Sequence, residues 1–104
     1  MLAVNLAQNE TLPIPVDKTR SGVAVIGTPA VTSATAVFVL EIELFTGLWN
    51  SVGVFDAVAQ AKADNVTGPS KYAWADIPGA QSARIRRTDA TGGNGSVGGD
   101  FFLS

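Results

Sequence analysis

Glu41 and Glu43 are residues whose type and spacing could do acid–base chemistry. Two positions apart on an extended strand, their side chains share a face at a separation of about 6.5–7 Å. That lies near the lower end of the ~6.5–9.5 Å at which paired carboxylates hydrolyse glycosides with inversion. Both would project the same way from one strand, however, and the flanking residues give no sign of a cleft for a sugar. The simpler expectation is a solvated strand end, paired across a sheet with Arg84 and Arg86. The chain has no histidine and no cysteine. It therefore lacks the commonest general base, the commonest zinc ligand, any Cys-based metal or redox centre, and disulfides. Asp56, Asp64, Asp76, Asp89 and Asp100 are scattered, without the alternating spacing of a calcium loop. The expectation is a non-enzyme with no catalytic residue, no bound metal and no cofactor.

Three further patterns could bind rather than react. Trp49, Tyr72 and Trp74 could form a stacking platform for sugars, although aromatics in a domain this small more commonly pack a core. Arg84, Arg86 and Arg87 form a small basic cluster, for which cross-strand ion pairs are the expected use. Gly93-Asn94-Gly95-Ser96-Val97-Gly98 matches GxGxxG, but only six residues follow it. The helix that a dinucleotide fingerprint must open has no room, so a loose hairpin turn is expected. Acceptor-like triplets at Asn9, Asn65 and Asn94 follow no secretory signal and are read as chance matches.

The totals narrow the class. At 104 residues the chain is one domain with room for a single core. Seven basic and nine acidic residues give a net charge of −2, which supplies no electrostatic pull toward nucleic acid or an anionic membrane. The N-terminal residues lack a basic n-region, and no run approaches the ~20 apolar residues of a membrane span. A soluble protein made in the cytoplasm is expected. Charged residues are only 15% of the chain, against about 25% in ordinary soluble domains. Either part of the surface is covered by other subunits, or it is rich in Ser, Thr, Gly and Ala.

The elements are organised around residues 35–55. Ala36, Phe38, Leu40, Ile42 and Leu44 alternate with Thr35, Val37, Val39, Glu41 and Glu43, the period of a half-buried strand. Thr46-Gly47 supplies a reversal, and residues 48–55 read as the returning strand. Residues 1–21 read as an extended N-terminal arm. Leu2, Val4 and Leu6 alternate, and Pro13 and Pro15 restrict residues 12–16 to an edge strand or a strap. Residues 22–104 form the folded domain. Gly22 to Gly27 is a short buried strand. Residues 55–65 fit either one or two helical turns capped by Asp56 or an irregular strand. Residues 71–77 place Tyr72 and Trp74 on one face and Ala73, Ala75 and Ile77 on the other. Residues 82–88 point Ala83 and Ile85 inward and Arg84 and Arg86 outward, and residues 96–103 form a last strand. Seven to eight short strands, with turn signals every eight to twelve residues, predict an all-β antiparallel β-sandwich, Ig-like or jelly-roll-like.

Residues Val37 to Glu43, Trp49 to Phe55, Tyr72 to Gly79 and Ala83 to Thr88 together resemble small β-sandwich structural proteins of tailed bacteriophage virions, of head decoration or head-fibre type. Such proteins carry a "VVFEGSxDGxxW" strand, a return strand, an aromatic "YxxDVPG" and a "VRVRxT" strand. The likeness covers about the C-terminal two-thirds. It departs at Leu44-Phe45-Thr46-Gly47, where a Ser-x-Asp-Gly turn is usual, and in the long Ala-rich segment after Phe55. What it implies is a head decoration or cement subunit of the virion, a homo-oligomer that binds the major capsid protein or other virion proteins, with neither nucleic acid nor membrane as partner. The arm residues Leu2, Val4, Leu6, Leu12, Ile14 and Val16 would then make the partner contacts by adding a strand to a neighbour. Ala24, Ala36, Ala73, Ala75 and Ala83 would allow close backbone approach within the core or between subunits. The alternatives are a lectin-like carbohydrate-binding module using Trp49, Tyr72 or Trp74, and a neck, tail or fibre adaptor.

Overall fold

The alternation around Phe38, Leu40 and Ile42 puts these side chains on the buried face of a nine-residue strand, Val37–Phe45. In the computed structural model, which describes residues 2–104, that strand is β4 of eleven. Before it come β1 (Val4–Asn5), β2 (Thr11–Ile14) and β3 (Gly22–Gly27). After it come β5 (Leu48–Val52), β6 (Val54–Asp56), β7 (Ala61–Ala63) and β8 (Val66–Thr67), then β9 (Tyr72–Ile77), β10 (Ser82–Arg87) and β11 (Ser96–Leu103). One sheet runs β1-β11-β3-β9-β6-β7 and the other β2-β10-β4-β5, with β8 added to β4. The protein is all-β, two antiparallel sheets forming a sandwich. The strand count exceeds the seven to eight expected because four strands have only two or three residues. So short a run carries no readable period.

The two inner faces differ in bulk. The five-stranded sheet contributes Ile14, Phe38, Leu40, Ile42 and Ile85, while the six-stranded sheet contributes Ala24, Ala73, Ala75 and Gly99 around Ile26 and Ile77. Small residues opposite large ones let the sheets approach until the side chains interdigitate. A Cβ on Gly99 would stand 2.8 Å from Ile85 Cδ1 and 3.2 Å from Ile14 Cγ1. The five small residues singled out above (Ala24, Ala36, Ala73, Ala75, Ala83) are all buried in this core.

Three local departures from the predicted elements have identifiable causes. Leu44 is in phase with the buried positions but is 39% exposed. A register shift between Glu43 and Phe45 makes it the extra residue of a bulge, which turns the end of β4 out of the sandwich. The returning strand divides at Gly53, so that β5 stays on β4 while β6 crosses to β9 in the other sheet. Residues 55–65 form a hairpin rather than a helix. Phe55 and Asp56 pair with Trp74 and Ala73, and Asp56 Oδ1 accepts from the amides of Val58 and Ala59 at 2.9 and 3.0 Å, closing a turn.

Residues 2–21 supply a strand to each sheet. β1 pairs with β11, and β2 lies at the edge of the five-stranded sheet against β10, where Pro13 costs no ladder bond.

Candidate functional site

On the outer face of the five-stranded sheet, Glu41 stands opposite Arg84 in register. Its Oε1 accepts from Arg84 Nε at 2.9 Å and its Oε2 from Arg86 Nε at 3.2 Å. Arg86 Nη1 also donates to Asn9 Oδ1 at 3.1 Å. Glu43 Oε2 instead accepts from the Gly47 amide at 2.7 Å, bracing the Thr46-Gly47 turn, where Gly47 has φ 82°. The solvated strand end expected for this pair is corrected at Glu41, which is buried and takes both arginines in place of water, while Glu43 takes neither and braces its own turn.

The three candidate stacking aromatics do not meet. Trp49 belongs to β5 of the five-stranded sheet, and the Arg84 guanidinium lies 3.8 Å from its ring centroid. Tyr72 and Trp74 lie on the outer face of the six-stranded sheet, 46% and 39% exposed. Trp74 packs against Phe55 with ring centroids 4.7 Å apart and the planes tilted by 43°. Beside them β6 and β9 pair only through Phe55 and Asp56, then diverge because the chain crosses sheets at Gly53. The divergence opens a groove of about 530 Å³ lined by Gly53, Phe55, Lys62, Asp64, Trp74 and Asp76.

The arm residues divide into two groups. Leu6 and Ile14 are part of the buried core, with Leu12 and Val16 packed against it. Leu2 and Val4 stay exposed at the sheet edge. As partner contacts these last two present the most surface and Leu12 and Val16 present part of theirs, while β1 and β2 are themselves paired with β11 and β10 of the same chain. Other large apolar side chains stand exposed at the β4–β5 tip: Leu44, Phe45 and Leu48.

Arg87 departs from the cross-strand ion pairing expected of the basic cluster: it points into the core and pairs with Asp89, two residues along its own chain. It is 2% exposed, and all five of its guanidinium N–H groups have acceptors. Nε and Nη2 donate to the two Asp89 oxygens at 2.9 and 3.1 Å, Nη1 to the carbonyls of Leu6 and Gly93 at 2.8 and 3.1 Å, and Nη2 also to Thr91 O at 3.0 Å. Asp89 in turn accepts from the Val37 amide at 2.9 Å and from the Thr91 hydroxyl. The Arg87 guanidinium, followed by these donors, holds the Asp89 carboxyl well below the usual carboxylate range. The cluster fastens the N-terminal segment, the start of β4 and the 88–95 loop to one another. The signal available in the sequence is phase, since Arg87 shares the inward face of β10 with Ala83 and Ile85.

No protein-family model matches the sequence, and no curated protein sequence matches it. Among solved structures, the fold is similar to that of the SPBc2 prophage-derived protein YomS, with a TM-score of 0.67. That likeness covers 100% of this chain and 88% of the other at 15% identity, and it concerns the fold alone.

Proposed function

We propose that this protein is a non-enzymatic structural component of a tailed-phage virion, a head decoration or cement subunit that stabilises the capsid through contacts between subunits. The observation that carries the reading is the sandwich shared along the whole chain with a prophage-derived protein. The resemblance of the strand motifs to head decoration proteins narrows it to the head. The engagement of Glu41 by two arginines and of Glu43 by its own turn favours a structural over a hydrolytic role for that pair. Exposed apolar side chains at separate edges (Leu2 and Val4 on the N-terminal segment, Leu44, Phe45 and Leu48 at the β4–β5 tip) supply contacts with the shell. Individually weak contacts, repeated by symmetry over a shell, raise the cost of separating capsid subunits.

The test is addition of purified protein to capsids that lack it, followed by sedimentation and cryo-electron microscopy. Stoichiometric binding and a higher capsid disruption temperature are expected, both lost on combining Phe45→Asp with Leu48→Asp. Capsids that neither bind the protein nor gain stability overturn the reading. Density at the neck or tail instead of the head moves it to the adaptor role. A glycan-binding reading is supported by the groove beside Trp74, and its test is quenching of tryptophan fluorescence by any sugar found on a glycan array. That reading no longer includes Trp49, which lies on the other sheet.

A further inference from the structure

The outer face of the six-stranded sheet carries a row of side chains that only the strand order assembles. Asp100 of β11 stands beside Val25 of β3, Val25 beside Trp74 of β9, Trp74 beside Phe55 of β6, and Phe55 beside Lys62 of β7. The row is acidic at one end, apolar in the middle and basic at the other. Its ends lie about 19 Å apart across four strand spacings, too far for an ion pair within the chain. Trp74 occupies the centre. About 7 Å along the strands the next row reads Phe102, Val23 and Asp76, and at its far end lies the groove between β6–β7 and β9. Phe102 is 57% exposed, and it stands at the opposite edge of the face from that groove. On the other side of the central row stand Gly98, Gly27 and Tyr72, the two glycines buried and Tyr72 exposed.

A charged row with opposite ends, and a projecting ring level with a groove, are the marks of a self-complementary surface. The geometry points to an isologous dimer in which this face packs on the same face of a second copy, about a two-fold axis that runs along the strands and passes over Trp74. Such an axis reverses each row and keeps its level. Asp100 then meets Lys62 of the second copy, Val25 meets Phe55, Trp74 meets Trp74, and Phe102 enters the groove across the interface. The sheets pack about 10 Å apart in the aligned manner of sandwich faces. A two-fold axis along the row would instead oppose Asp100 to Asp100 and Lys62 to Lys62, and like-charge contacts reject it. The chosen axis also brings Asp76 against its own copy and sets Phe102 beside the Asp64 that lines the groove, and both weaken the association. This assignment names the face behind the homo-oligomer expected above, and it stands whether or not the protein joins a virion.

The patch is about 19 Å wide and three rows deep, smaller than a standard interface, so dissociation constants on the order of 10–100 µM are expected. Sedimentation equilibrium of the full chain, from about 1 µM to about 1 mM, reads this directly. The wild type should pass from monomer to dimer across that range. Lys62→Asp alone and Asp100→Lys alone should each weaken self-association by about tenfold or more. An equimolar mixture of the two variants should form a heterodimer, because each copy then offers the charge that the other lacks. Asp76→Asn should tighten the dimer and Phe102→Ala loosen it. A wild type that stays monomeric at the top of the range overturns the proposal. So do single charge variants that associate as the wild type does, or a mixture that fails to associate.

Discussion

Arg87→Leu tests whether the buried guanidinium holds the two ends of the domain together. Leucine occupies part of the same space but removes five hydrogen bonds at once. It leaves the carbonyls of Leu6, Thr91 and Gly93 without this donor, and the Asp89 carboxylate without its cation. Arg87 and Asp89 side chains are only 3% and 10% exposed, so water replaces little of what is lost. Removing one member of a buried, hydrogen-bonded ion pair costs about 3–5 kcal/mol. For a domain of this size, each kcal/mol lowers Tm by about 4–8 °C, so a fall of at least about 12 °C is expected. The urea midpoint should drop by about 1 M or more. Arg84→Leu is the internal control. Arg84 is 27% exposed and Glu41 keeps Arg86 as a partner, so losing its ion pair and its stacking on Trp49 should cost about 1–2 kcal/mol. Far-ultraviolet circular dichroism during heating and urea titration measures both variants. If Arg87→Leu costs no more than Arg84→Leu, the cluster is not what fastens the N-terminal segment, and the reasoning fails.

The same cluster predicts acid sensitivity. Asp89 binds its proton less readily when folded than when unfolded, where its value is near 3.8. Below that value the unfolded chain holds more protons, so the stabilisation present at neutral pH is lost as pH falls toward the lowered folded value. Asp89→Asn removes this dependence, so urea midpoints of wild type and variant should differ widely at pH 7 and draw together progressively as pH falls from about 4 toward the lowered folded value. A gap that stays constant across that window contradicts the assignment. A third prediction concerns Thr28, which is fully buried. Its hydroxyl donates to Gly68 O and accepts from the Lys71 amide, both at 2.9 Å. Thr28→Val keeps the shape but orphans both groups, at an expected cost of about 1–3 kcal/mol in the same denaturation assay. Unchanged stability would mean that water reaches the 68–71 loop.

What the sequence determined by itself is the set of strands long enough to show a period. Along β4, β9 and β10 one face is more deeply buried than the other, and because side chains alternate, the selection for apolar residues is written directly into the order of Phe38, Leu40 and Ile42, or of Ala73, Ala75 and Ile77. The pairing of Glu41 with Arg84 and Arg86 followed from the same alternation. Tertiary structure decided what alternation cannot express. Asp56 can cap a helix or close a tight turn with the same two amide contacts, and it was the open edge of β9 that made the following segment a hairpin. The arm is extended in either reading, but the edges of β10 and β11 drew its two strands, β2 and β1, into this chain's own sheets. Trp49 and Trp74 are equally aromatic in sequence and lie in different sheets only because the chain crosses at Gly53. Strand order, set by which edges bury the most apolar surface together, likewise put Asp100 and Lys62 at opposite ends of one row. Pairing across a sheet joins residues distant along the chain, and no local pattern records it.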